Sequence, residues 1–382
     1  MIRIDTPPTR ISPRLRVRKS PALALAVLAT ALTACEPPPD GDERDDQAAD
    51  TAEAPALTFQ ALTADATAAA TGPALTLQNL DVVPFPNRLV TSILVGDTTG
   101  QITHDRAVLR LSSSGTTAVT VSALTLSGPF SLAAAPARPF TLAPGGTADV
   151  TVRLSATTGG KVLTGTLTIA SNVTGTPSIP VALAGTRTKP EGGNEPSFVQ
   201  VVQVFGYKTV ILNAGQVLNE HGLVHAVGEE VLSKFWKPLD ATKPVAVRQL
   251  AAFHTRGGTG PIAWHSKGST TTHNIVTSGG TSAQTMLPLK NGSTAPAAGS
   301  FTPGGVFGLK VSAEWSDDTK NNIAKDMANG CPGPCGHHVR FWPARDLAGK
   351  LMTGSYIVAM DSASVNYDYQ DDVYLISNVA PE

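Results

Sequence analysis

Side chains able to do chemistry crowd one stretch near the end of the chain, VNYDYQDDVYLI from Val365 to Ile376, where carboxylates and phenols alternate before the run turns apolar. Asp361, Asn366, Asp368, Asp371 and Asp372 are hard oxygen donors, the chemistry that calcium selects. On a flat strand Asn366, Asp368, Gln370 and Asp372 would share a face with about 7 Å between neighbours. Oxygens bound to one calcium ion lie closer together, each about 2.3–2.6 Å from the metal. A flat strand therefore cannot gather them, and a loop can. SYIVAMD and DVYLIS read as two antiparallel strands, and the connection from Asp361 to Asp371 is too long for a tight hairpin turn. The spacing thus predicts a cation-binding loop with those five residues as ligands and calcium as the ion. Asp317, Asp318 and Asn321 make a second, smaller oxygen cluster.

NGCPGPCGHH carries the next candidates. Cys331 and Cys335 form an even pair, which outside the cytoplasm becomes a disulfide. The rival is a zinc site built from these cysteines with His337 or His338, whose ligand types suit zinc although the spacing is shorter than in the usual fingers. His221, His225 and Glu229 would share one face of a helix, but the glycines of HGLVHAVGEE oppose a helix there. His254 and His265 flank TRGGTGPIAW, a loop or hairpin, and read as structural or surface histidines. The chain has no Gly-x-Ser-x-Gly elbow and no phosphate-binding Walker loop. A glycosidase pair of carboxylates would leave no spacing signature, because its members come from different strands.

The amino terminus addresses the chain. Arg3, Arg10, Arg14, Arg16, Arg18 and Lys19 precede PALALAVLATAL, an apolar run too short to span a bilayer and suited to a secretory leader. It ends in Leu32-Thr33-Ala34-Cys35, which resembles the lipobox of bacterial lipoproteins. That resemblance implies cleavage before Cys35, lipidation of Cys35 and a stable membrane anchor of several acyl chains. Glu36 after the cysteine favours the outer membrane of a Gram-negative envelope. The leader, residues 1–34, holds six of the 29 Lys+Arg and one of the 30 Asp+Glu, so the mature chain carries 23 against 29, a net charge near −6. No basic stripe remains, which argues against nucleic acid as a partner.

The acidic, proline-rich residues 35–72 cannot bury a core and read as a tether. From 73 to 185, short runs rich in Val, Leu, Ile and Thr alternate with Gly, Ser, Pro and Asn, the pattern of an antiparallel β-sandwich. LRLSSSGTTAVTVSALTLSGPFSL, FTLAPGGTADVTVRL and GTLTIASN together resemble the ASPM-SPD-2-Hydin (ASH, choice-of-anchor D) immunoglobulin-like domain. The resemblance implies a spacer that presents other domains and brings no catalytic residues. TRTKPEGGNEP, residues 186–196, reads as a polar linker. Residues 197–382 read as a second β-rich module, with SFVQVVQVFGY at its start as a short helix or a strand. GLKVSAEWSDDTKN, GHHVRFWPARD and MDSASVNYDYQDDVYLISNV resemble a C-terminal module of large secreted bacterial surface proteins. DYQDD is also similar to the DYND signature of a calcium-binding domain of secreted proteins, with Gln370 where Asn is usual. The fold class expected is all-β, two sandwiches in tandem behind a leader and a tether.

Every Trp and Tyr of the chain lies in the second module, where these rings would favour contact surfaces. Trp315, Trp342, Tyr367 and Tyr369 stand nearest the acidic loop by type and position, and are the expected platform for sugar rings. These features point to a non-enzymatic envelope lipoprotein that binds glycan or another surface polymer, with calcium ordering the loop. A secreted hydrolase of polysaccharide or peptidoglycan and a structural envelope protein with protein partners are the alternatives.

Overall fold

Alternation of apolar and polar residues along short strands builds two β-sandwiches. The computed structural model describes residues 71–156, 158, 161–189, 195–212 and 218–382. The leader, Cys35, nearly all of the tether and residues 190–194 of the expected linker lie outside the described residues. Among those described, no helix is long and apolar enough to cross a membrane.

The first sandwich comprises β1 (Leu75–Asn79), β2 (Arg88–Leu94), β3 (Arg106–Ser113), β4 (Val119–Ser127), β5 (Phe130–Ala134), β6 (Phe140–Leu142), β7 (Thr147–Leu154), β8 (Val162–Ser171) and β9 (Ser178–Thr188). A sheet of order β1-β3-β7-β5 faces one of order β2-β9-β8-β4-β6. Strand β3 shows the alternation plainly: Ala107, Leu109 and Leu111 point into the core with Val150 and Val152 of β7 and Leu167 and Ile169 of β8. Only β2 and β9 pair in parallel among these strands. Strand β9 runs on through Thr188, so the stretch read as linker begins as strand. Its polar residues are satisfied there: Thr186 Oγ1 donates to Ser92 Oγ (2.9 Å) and Thr188 Oγ1 to the Ile93 carbonyl (3.2 Å).

Helix α1 (Phe198–Phe205) opens the second half. Its capping box explains why SFVQVVQVF is helical and not a strand. Ser197 Oγ accepts from the Gln200 N–H (3.3 Å) while Gln200 Oε1 accepts from the Ser197 N–H (2.9 Å). Arg88 of β2 covers the other end, donating from Nε to the Val204 carbonyl (2.7 Å) and from Nη2 to Gln203 (3.1 Å). A cation at a helix C-terminus is favourable.

The second sandwich comprises β10 (Trp236–Pro238), β11 (Val245–Phe253), β12 (Gly260–Ser266), β13 (His273–Ser278), β14 (Gln284–Met286), β15 (Ala298–Phe301), β16 (Phe307–Val311), β17 (Glu314–Trp315), β18 (Val339–Arg345), β19 (Leu351–Met360), β20 (Asp372–Ser377) and β21 (Val379–Pro381). Helix α2 (Ile323–Ala328) lies between β17 and β18. One sheet runs β13-β12-β16-β10-β21, and the other β14-β11-β20-β19-β18 with β15 also on β11. Between the two sheets lies a core of Trp236, Val247, Ile262, Leu309, Phe341, Val358 and Ile376.

The β11-β20-β19-β18 sheet is covered on its other face as well. Leu250, Phe253, Trp342, Ile357, Val373 and Leu375 pack against α1, Tyr207, and Phe85 and Val90 of the first sandwich. A sheet buried on both faces reads as unbroken apolar runs, as VYLIS and YIVAM do. The two sandwiches therefore share a core through α1. Phe198 contributes a ring 4.9 Å from that of Trp342 and is 1% exposed. Phe198→Ala is expected to cost about 3–5 kcal/mol in urea unfolding. A loss below about 1 kcal/mol would mean that α1 is not part of the shared core.

Candidate functional site

The loop between β19 and β20 runs from Asp361 to Asp371, because Met360 and Asp372 close the ladder as partners. Its residues Tyr367 and Tyr369 adopt left-handed backbone conformations, with φ of 57° and 58°. Bulky side chains rarely sit there, and they persist only where the surroundings hold them. Tyr367 is held by its hydroxyl, which donates to Asp326 Oδ1 (2.9 Å). Tyr369 donates to the His337 carbonyl (2.8 Å), and the Arg340 guanidinium lies 4.9 Å from its ring centre. The two anchored phenols curl the chain and bring Asp368 to the ends of the loop.

Carboxylate oxygens of Asp361, Asp368 and Asp371 then lie within 4.8 Å of one another. Two oxygens on opposite sides of one calcium ion stand about 5 Å apart, so the triad has the right size for that ion. Asp361 is 0% exposed. Its Oδ2 accepts from the Tyr369 N–H (2.9 Å), while its Oδ1 and Asp368 Oδ1 are buried without a partner. Burial, then the charge of Asp371, pushes Asp361 up to about 9. Burial, then the charges of Asp372 and Asp368, pushes Asp371 up to about 7, and burial also raises Asp368. Like charges in a dry place must either take up protons or share a cation. All-oxygen donors fit a hard divalent cation, and calcium tolerates the irregular geometry that magnesium does not.

Two of the five expected ligands are elsewhere. Adjacent residues in extended chain point to opposite sides, so Asp372 faces away from Asp371. It accepts from Gln249 Nε2 (2.6 Å) and from His254 Nδ1 (3.1 Å), and is paired with that imidazolium. Gly260 permits this arrangement, since a Cβ there would stand 2.6 Å from Asp372 Oδ1. Asn366 is exposed and donates from Nδ2 to Asp368 Oδ2 (2.7 Å), supporting a ligand from outside. The second oxygen cluster is dispersed. Asp318 pairs with Lys234, Asp317 caps Thr319, and Asn321 is tied to both the N–H and the carbonyl of Trp315.

Cys331 and Cys335 are joined as a disulfide. The zinc alternative loses its other ligands too, because His337 Nε2 meets Glu230 Oε1 (2.7 Å) and His338 Nε2 meets Asp326 Oδ2 (2.9 Å). His221 and His225 lie outside any helix: His225 pairs with Glu220, and Glu229 holds Arg345.

The aromatic platform is corrected as well. Trp342, Tyr367 and Tyr369 are 0%, 2% and 0% exposed. Tyr207, Tyr374 and Trp236 are also buried, and Trp264, Trp315 and Tyr356 half-buried. The second half is rich in rings because its sheet must be filled on both faces. Two ammonium groups lie over the ring of Trp315, Lys310 at 4.9 Å and Lys320 at 4.5 Å from its centre.

A cleft of about 1070 Å3 opens beside the triad. Thr99 and Gln101 of the first sandwich line it, with Glu195 just before α1 and His254, Asn291 and Asp371 from the second half. Glu195 accepts from Gln370 Nε2 (3.1 Å), and burial together with the charge of Asp368 raises its carboxyl against the hydrogen bonds it receives. Burial opposes charge on His254, yet the hydrogen bond and charge of Asp372 and the Gly258 carbonyl bring it up to about 9. Nδ1 is engaged by Asp372 and Nε2 by the Gly258 carbonyl (3.0 Å), so the ring has no lone pair free to act as a base. His254 reads from the sequence only as a structural or surface histidine, and Glu195 carries no signal there at all. They come from distant elements, and no local spacing connects them to the loop.

No family model and no curated protein sequence matches the chain. Among solved structures, a protein of unknown function from Porphyromonas gingivalis W83 is similar at 17% identity and TM-score 0.24, over 32% of this chain and 50% of that one. This chain thus spans half the length of that relative. The ASH/PapD-like domain 7 of human CEP192 is similar at 14% identity and TM-score 0.22, over 31% of this chain and 87% of that one. The Salmonella enterica SafA pilin–SafB chaperone complex is similar at 10% identity and TM-score 0.25, over 77% of this chain and 99% of that one. Scores this low give no ground for transferring a role.

The raised groups fix a pH dependence. Asp361 and Asp371 hold protons in the folded chain at pH values where an unfolded aspartate, ionising near 4, has lost them. The folded state then binds more protons than the unfolded, so stability falls as pH rises. His254 acts in the same sense, because its folded-state value lies above that of a free histidine and its contribution is lost as pH rises through about 9. In chelator, the denaturation midpoint is therefore expected to drop from about pH 5 to about pH 9. Millimolar calcium is expected to remove the part of that drop due to Asp361 and Asp371 and to leave the part due to His254. A midpoint that climbs with pH in chelator would contradict the burial of the triad.

Proposed function

We propose that this protein is a cell-envelope lipoprotein, anchored at Cys35, whose ASH-type first sandwich serves as a spacer for a non-catalytic, polymer-binding second half. The observation that carries this reading is the polar cleft beside a triad of one buried and two half-buried carboxylates, in which Asp361 Oδ1 and Asp368 Oδ1 have no hydrogen-bond donor. Thr99, Gln101, Asn291, Ser362 and Asn366 offer amide and hydroxyl groups to a hydroxyl-rich ligand such as a glycan. With the tyrosines buried, recognition rests on hydrogen bonds along the cleft and not on ring stacking. Calcium, held by Asp361, Asp368 and Asp371, offsets two of the three carboxylate charges and holds the rim in one shape. The leader and lipobox support an envelope location.

A glycan array probed with the full chain, alongside chromogenic glycosides, tests this. Calcium-dependent binding without turnover, lost in Asp368→Ala, is the expected result. Turnover that disappears in Asp371→Asn would replace the reading with a hydrolase. Envelope proteins captured with no glycan bound would make it a structural protein.

A further inference from the structure

Asp326 is a carboxylate with no exposure and two side-chain partners, and both partners lead to the acidic loop. Its Oδ1 accepts from the hydroxyl of Tyr367 (2.9 Å), the residue before Asp368. That hydroxyl also accepts from the Ser364 N–H (2.9 Å), within the same loop. Its Oδ2 meets His338 Nε2 (2.9 Å), and the other ring nitrogen of His338 reaches the Asp361 carbonyl (3.1 Å). The Asp361 N–H in turn donates to the His338 carbonyl (3.2 Å). One buried carboxylate thus holds Asp361 through one arm and the neighbour of Asp368 through the other.

The disulfide clamps the far side of this arrangement. The Cys331 N–H donates to the Asp326 carbonyl (3.0 Å), and Cys335 bridges to Leu223. Gly222 next to it lets the chain pass over Asp326, since a Cβ there would stand 2.6 Å from Asp326 Oδ2. The sequence supplies a short, proline-rich staple at CPGPC, which ends three residues before His338.

We infer that Asp326, Tyr367 and His338 are positioning residues, clamped by the Cys331–Cys335 disulfide, that set the spacing of Asp361 and Asp368 and so the affinity of the triad for calcium. This rests on the cation reading of the triad, in which Asp361 is 0% exposed and its Oδ1 has no hydrogen-bond donor. Groups that orient metal ligands from behind typically change affinity by about 10–100-fold when removed.

Calorimetric titration of the full chain with calcium chloride, well below its melting temperature, tests the relay. Tyr367→Phe is expected to weaken calcium binding by about 10-fold or more. A Cys331→Ser, Cys335→Ser double variant is expected to weaken it in the same direction. Combining them should cost less than the two losses together, since both act through Asp326. A role in stability alone would lower the melting temperature and leave the affinity of the folded protein unchanged. Wild-type affinity in both variants, with Asp368→Ala inert, overturns the relay and leaves the cation site standing. A wild-type chain that takes up no calcium overturns both. Should Tyr367→Phe not fold, the cysteine variant decides alone.

Discussion

Like charges crowded together and partly withdrawn from water cannot all stay bare, and the second sandwich brings carboxylate oxygens of the buried Asp361 and the half-buried Asp368 and Asp371 within 4.8 Å of one another. Much of the surrounding architecture follows from that constraint. Tyr367 and Tyr369 accept unusual backbone conformations because their hydroxyls are bound below the loop. Asp372, next in sequence to a triad member, is taken out of the competition by His254 and Gln249. What is left is a set of oxygens whose charge is answered by protons, and which a hard cation would answer in their place.

The loop can be held in this way because the sheet beneath it is rigid. Strands β18, β19 and β20 are buried on both faces, between the second sandwich's own core and the layer formed by α1. Arg88 ties that helix to the first sandwich. The cleft beside the triad draws residues from both sandwiches. Its shape therefore depends on the shared core, and the first sandwich helps to form it.

Local patterns revealed a good deal of this. Alternation marked the strands, the Ser197–Gln200 capping box was present in the letters, and the two strands flanking Asp361–Asp371 were legible from SYIVAMD and DVYLIS. Three of the five expected ligands converge. Asp372 was misassigned because its facing depends on pairing with Ala252 of β11, a partner far away in sequence. The rings were misassigned for a related reason. Composition shows that tyrosine and tryptophan are abundant, but only the packing of α1 shows that the sheet needs them on both faces. His254, Glu195 and Asp326 leave no trace as site residues, since each reaches the loop from a separate element.

The most direct test is anomalous diffraction from crystals of the full chain grown with calcium. Calcium bound by the triad gives a single anomalous peak within about 2.3–2.6 Å of oxygens from Asp361, Asp368 and Asp371. A map with that position empty at millimolar calcium, and the three carboxyl groups hydrogen-bonded to one another, would contradict it.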